Sequence, residues 1–153
     1  MDSAAQCPEC GARWAAGVTC QDHFHQMLAW EIERPELGEV HHLMVPSFYL
    51  QHPTLYSPEG LIFSLRLLRD FVERGLTPLD VRRRNRDALD SGRRRFKITA
   101  TPAAHGAYDR AVKWTMTAAD VTAAGADAYR ESVRRWAKAI LDDLRASGTL
   151  PEA

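Results

Sequence analysis

The chain has 153 residues, 45% of them hydrophobic and 26% charged, with twenty acids against twenty lysines and arginines. This length and composition predict one domain, residues 1–153, whose core needs no disulfide support, and they exclude a long disordered tail. No apolar run approaches the length that crosses a bilayer, and no internal repeat is visible. The zero net charge hides an asymmetry: residues 1–60 hold eight acids and two bases, and residues 61–153 hold twelve acids and eighteen bases. Such a dipole either ties the two parts together or presents opposite faces to partners.

All three cysteines and five of the six histidines fall between Cys7 and His52. Cys7-Pro8-Glu9-Cys10-Gly11 is a knuckle in which two thiolates hold one ion while the chain turns beneath them, and the glycine permits a positive φ. Cys20 supplies a third thiol. Thiolates favour zinc over hard cations, with iron the main competitor. The competing reading is a disulfide with one spare thiol. An odd cysteine count and an N-terminus that is not apolar argue against it, and point to a reducing cytosol. Residues 1–19 are thus expected to form a zinc knuckle.

Residues 20–34 read as a helix, with Phe24, Met27, Leu28, Glu31 and Ile32 at helical spacing. Pro35-Glu36-Leu37-Gly38 is a turn, and residues 39–52 resume the period through Val40, Leu43, Met44 and Phe48. Pro46 is expected to kink or loosen this second helix, or to begin its regular part. Together, residues 20–53 predict an antiparallel helical hairpin.

The fourth metal ligand follows from that hairpin's register. His23 completes a simple Cys-x2-Cys-x9-Cys-x2-His pattern. Antiparallel helices, however, pair residues equally distant from the turn, which sets Cys20 level with His52 at the helix end before Pro53. The predicted ligands are Cys7, Cys10, Cys20 and His52, with His23 as the alternate. The same register places His41 beside Glu31. His41 and His52 lie about 16 Å apart along one helix, so one straight helix cannot bring both to one ion. His41 is then either a histidine hydrogen-bonded to Glu31 for stability or part of a second polar site. His25 and His42 read as surface or helix-end residues, and His105 sits in a loop.

The remaining helices are expected within residues 57–147. Ser57-Pro58-Glu59 is a helix start, followed by Leu61, Leu65, Leu68 and Val72 at core spacing, and Gly75 is the stop. Thr77-Pro78-Leu79-Asp80 opens the next helix, which carries Arg82, Arg83, Arg84 and Arg86, with Arg93, Arg94, Arg95 and Lys97 following. Phosphate binding by this Arg82–Lys97 run would be sequence-independent and salt-sensitive. A solvated helix face is the favoured reading, because the chain's pI is near 7 and only Phe96 interleaves the basic residues. Phe96-Lys97-Ile98-Thr99 and Ala111–Thr117 leave room for a short two-stranded ribbon. Thr117-Ala118-Ala119-Asp120 is a capping box for a short helix ending at Gly125. A last helix follows to Ala146, with Tyr129, Val133, Trp136, Ile140 and Leu144 as its apolar stripe.

Cys-Pro-x-Cys-Gly, the later Cys20 opening a helix with Glu31, Val40-His41-x-Leu43-x-Val45 and Gln51-His52-Pro53 together resemble an uncharacterised bacterial family catalogued as a domain of unknown function. Phe96, Thr101-Pro102, Gly106, the Thr117–Val121 box and Trp136-Ala137 extend the resemblance over most of the chain. It implies Cys7, Cys10, Cys20, Glu31, His41 and His52 as the family's polar positions, does not favour His23, and implies no activity. Pro46 departs from the continuous helix of the family pattern.

The expected fold is mostly α: a helical bundle with an N-terminal zinc knuckle. The expected function is a zinc-binding module with structural zinc, acting on a protein or small-molecule partner in a binding or regulatory role. One alternative is a metal-dependent enzyme using Glu31 and His41 as an acid–base pair. Another is nucleic-acid binding through Arg82–Lys97. No phosphate loop, dinucleotide fingerprint, serine elbow or His-Glu-x-x-His helix is present.

Overall fold

The computed structural model describes residues 5–83 and 98–151. Helix α1 spans Cys20–Glu33 and begins at a reciprocal cap: Asp22 N–H donates to the Thr19 hydroxyl, and Thr19 N–H donates to the Asp22 carboxylate at 2.9 Å. A 3-10 turn, Pro35–Val40, reverses the chain into α2, His41–Leu50. The turn consumes more residues than its Pro-Gly signal suggested, so α2 is shorter than the 39–52 expected. Pro46 lies inside α2 without ending it. Its missing N–H removes the intrahelical partner of the His42 carbonyl, a local loss that buried neighbours on both sides contain. His41 precedes the proline and keeps its register.

Met27, Val40, Leu43, Met44 and Phe48 are buried as their spacing predicts. Phe24 and Leu28 are partly covered, and Ile32 departs furthest. It is 79% exposed, because the inward face of α1 runs through Cys20, Met27 and Glu31 and leaves position 32 outside.

Helix α3, Pro58–Glu73, starts where the Ser57 hydroxyl accepts Gly60 N–H at 2.9 Å. Leu61 and Leu68 are buried, whereas Leu65 and Val72 are only partly covered. Residues 78–83 are helical behind a Thr77–Asp80 cap. Helix α4, Ala118–Ala124, carries the expected Thr117–Asp120 box and stops at Gly125, φ 88°. A 3-10 turn, Ala126–Ala128, leads into α5, Tyr129–Ala146. The predicted stripe of α5 is wholly buried and packs against α2, α3 and α4 in one hydrophobic core.

No sheet forms among the described residues. The expected ribbon reduces to isolated bridges, Tyr56 with Thr99 and Thr101 with Ala104. Residues 111–117 form no strand, and near their end side chains take up the backbone groups. Asp143 on α5 accepts Thr115 N–H at 2.8 Å, and Gln51 donates to the Met116 carbonyl at 2.7 Å. The acidic N-terminal part is tied to the basic remainder at Glu39, which meets Arg130 at 3.0 Å and Arg134 at 2.8 Å. Among the described residues no helix is long and apolar enough to cross a membrane.

Candidate metal centre

The knuckle closes through local bonds. Cys7 N–H donates to the Ala12 carbonyl at 2.8 Å, Gly11 N–H to the Cys7 carbonyl at 3.0 Å, and Gly11 takes φ 80°. That positive φ is why glycine follows the second cysteine. Cys10 N–H points at Cys7 Sγ, 3.5 Å away, which turns both sulfurs to one side. Glu9 then clamps the knuckle beyond α2, accepting from the Thr54 hydroxyl at 3.0 Å and the Thr54 N–H at 3.2 Å. Cys20 opens α1 and His52 follows α2, so the hairpin carries both to its open end.

There the ligand atoms of Cys7, Cys10, Cys20 and His52 all lie within 4.8 Å of one another, and all four residues are buried. The cysteines are free, and Cys10 Sγ stands 3.5 Å from Cys20 Sγ. Two sulfurs tetrahedrally bound to one zinc would stand about 3.8 Å apart, given a Zn–S bond of ~2.3 Å. The observed gap fits a shared ion and is far too long for a disulfide. Trp14 Nε1–H donates to Cys20 Sγ at 3.3 Å, adding a donor to a sulfur that would carry negative charge.

His52 decides the chemistry of the cluster. Its Nδ1 hydrogen-bonds the Phe48 carbonyl at 2.6 Å, one turn back, and its ring stacks against Phe48 with centroids 4.3 Å apart. With Nδ1–H donating, Nε2 bears the free lone pair. That Nε2 is buried and has no hydrogen-bond partner. Buried polar atoms are rarely left so. A ligating histidine that donates its other N–H to a backbone carbonyl is the arrangement that fixes an imidazole toward a metal.

Without a cation the cluster still holds charge. Hydrogen bonds from Cys10 and Cys20 push the Cys7 thiol down, and donation to Cys20 and Cys7 pushes the Cys10 thiol up. Burial opposes charge on His52, but the pull of the Cys20 and Cys7 sulfurs and the Phe48 carbonyl outweighs it and lifts the imidazole to about 10. A metal ion would displace these protons.

A model of the Family of unknown function (DUF5946) matches residues 5–145. The chain belongs to that family. No curated protein and no solved structure matches it. The DUF5946 match spans the knuckle, the hairpin and nearly all of α5, so both polar sites described here lie within it.

The alternate ligand His23 goes elsewhere. Its Nδ1 pairs with the Thr122 hydroxyl of α4 at 2.7 Å, and burial lowers its pKa. His41 and Glu31 meet as their register predicts, with Nδ1 to Oε1 at 2.6 Å. Tyr129, which the apolar stripe of α5 concealed, donates its hydroxyl to the other Glu31 oxygen at 2.5 Å. The three residues join α1, α2 and α5. The carboxylate beside it raises the pKa of His41, and burial together with Glu31 raises that of Tyr129. His25 is exposed and pairs with Gln21, His42 packs edge-on against Phe71, and His105 contacts the Gly106 carbonyl. Of the basic run, Arg82 and Arg83 are exposed; residues 84–97 lie outside the described residues.

Sequence reasoning missed Trp14, the Phe48 carbonyl and Tyr129. The Phe48 contact was readable, since position 48 lies one helical turn before 52. The other two carried no local signal.

Proposed function

We propose that Cys7, Cys10, Cys20 and His52 bind one zinc ion, and that this zinc is structural. The observation that carries the reading is the buried, partnerless Nε2 of His52, turned by the Phe48 carbonyl toward three free thiols. Three thiolates and one imidazole make a thiolate-rich closed set that suits zinc, with iron second, and it leaves no position for water or substrate. Zinc in such a site supplies folding energy rather than Lewis acidity. The chain's own residues do the rest: Glu9 and Thr54 hold the knuckle over α2, Trp14 supports Cys20, and Phe48 fixes the imidazole.

On this reading the protein is a zinc-stabilised helical module of a reducing compartment, serving a binding or regulatory role toward a protein or small-molecule partner. Elemental analysis of protein purified without nickel or chelator tests it, and one equivalent of zinc per chain is expected. Cobalt substitution should give intense visible bands of a tetrahedral, sulfur-rich site. Absence of stoichiometric metal, or an octahedral cobalt spectrum, overturns the proposal.

A second reading rests on the Glu31–His41–Tyr129 array. Glu31 is nearly buried while the His41 side chain is 52% exposed, so an oriented imidazole edge reaches solvent. That is the layout of a general base held by a carboxylate. Turnover of any substrate that Glu31→Gln abolishes without loss of folding would move the function there.

A further inference from the structure

Helix α3 carries a feature that the metal centre does not use. Leu61, Ile62 and Leu65 wall a cavity of about 440 Å³, closed opposite by Tyr108, Leu150 and Pro151. Ile62 lines it while remaining 54% exposed. Arg66 and Arg69 line the same cavity. Three residues apart on one helix, they share a face.

Neither guanidinium has a hydrogen bond or ion pair among the described residues, and Arg69 Nε is fully buried without a partner. The acids next along α3 are already occupied. Asp70 pairs with Arg74 at 3.3 Å, and both oxygens of Glu73 are taken by Arg145, one at 2.6 Å. Asp109 lines the cavity without pairing with either arginine. A buried, unanswered N–H of a cation is costly, and an apolar cavity with a few convergent polar groups is the usual form of a small-molecule site.

We propose that this cavity binds a monocarboxylate with an apolar chain. The carboxylate sits on Arg66 and Arg69, whose planar donors match its two oxygens, and the chain lies over Leu61, Ile62 and Leu65. Among the lining residues two arginines against Asp109 leave one excess positive charge, which a monoanion neutralises and a dianionic phosphate ester would overshoot. The bed from Pro58 to Arg69 is about 16 Å long at the helical rise, enough for an extended aliphatic acid. This site is independent of the zinc reading.

Isothermal titration of the 153-residue protein, as purified, with decanoate below its micellar concentration tests the proposal. Saturable one-to-one binding is expected, weakened at least tenfold by Arg69→Gln and by replacing decanoate with neutral decanol. Inorganic phosphate should not compete. Equal binding of acid and alcohol, undiminished binding by R69Q, competition by phosphate, or no saturable binding overturns it. Should R69Q fail to fold, Ile62→Glu serves instead, because position 62 is largely exposed and the new acid would repel the ligand. Wild-type affinity in that variant overturns the proposal equally.

Discussion

Replacing His52 by alanine separates the hairpin register from the simpler Cys-x-x-His pattern. Loss of an outer partner of a metal ligand typically costs 10- to 100-fold in affinity, so loss of the ligand itself should cost on the order of 100-fold or more, about 2.8 kcal/mol. The buried ring stacked on Phe48 also leaves a void, destabilising even the metal-free chain by about 2–4 kcal/mol. The two effects are distinguishable. A competition titration against a chromophoric zinc chelator reads the first, and urea unfolding of the metal-free protein reads the second. His23→Ala loses only its Thr122 contact, about 1 kcal/mol, and should keep wild-type zinc affinity. His52→Cys, which restores a fourth ligand, should recover most of the affinity. If His52→Ala binds zinc as tightly as the parent, or His23→Ala does not, the four-residue site is wrong.

A Cβ at Gly60 would overlap the Ile98 carbonyl oxygen and come within 2.9 Å of two further Ile98 backbone atoms. Gly60→Ala should therefore break the Ser57–Ile98 backbone bond and cost about 2 kcal/mol, whereas Gly38→Ala, with open space around it, should be neutral or slightly stabilising in thermal unfolding. The raised pKa of His41 means its pairing with Glu31 contributes stability below the unfolded value near 6.5 and loses it as pH rises through the higher folded value. The stability gap between wild type and His41→Gln, measured in excess zinc, should thus narrow from pH 6 to pH 9. It should not exceed about 1 kcal/mol, because the imidazole is half exposed. Tyr129→Phe should cost about 1–3 kcal/mol in urea unfolding by stripping a donor from the nearly buried Glu31, and a change below about 0.5 kcal/mol would refute that role.

Both polar contacts within the hairpin were legible before any coordinates, for one reason. A short turn between two helices fixes which positions face each other, so Cys20 meets His52 and Glu31 meets His41 whatever else the chain does. The helix starts at Ser57, Thr77 and Thr117 were equally local, because a capping side chain bonds within its own first turn. What failed to show was set by distant partners. Residues 111–117 alternate like a strand, yet Asp143 and Gln51 supply their partners from helices far away in sequence. Tyr129 looked like one more apolar position, and only packing of α5 on α1 reveals its hydroxyl at Glu31. Ile32 had helical spacing but fell just beyond the covered face.

The placement of these contacts indicates what the proposed zinc would hold together. Helix α1 is fourteen residues long but fully buries only Cys20 and Met27. One buried methionine is worth roughly 2–3 kcal/mol, and ordering each backbone residue costs about 1–2 kcal/mol. Intrahelical hydrogen bonds and partly covered rings such as Phe24 and Trp30 offset some of this, but α1 has far less apolar anchorage than α5, whose stripe is wholly buried. Its attachment also rests on polar fastenings: the Cys20 sulfur at the first residue, His23 on Thr122 of α4, and Glu31 in the last turn. Glu31 remains bonded to His41 and Tyr129 with or without metal. The Cys20 end has no such independence: its sulfur faces the Cys7 and Cys10 sulfurs and the His52 imidazole, which only weaker hydrogen bonds hold together in the absence of a cation. Chelation should therefore loosen the knuckle and the first turns of α1 while α2, α3 and α5 stay packed, and amide exchange should rise at residues 7–24 well before it rises at residues 129–144.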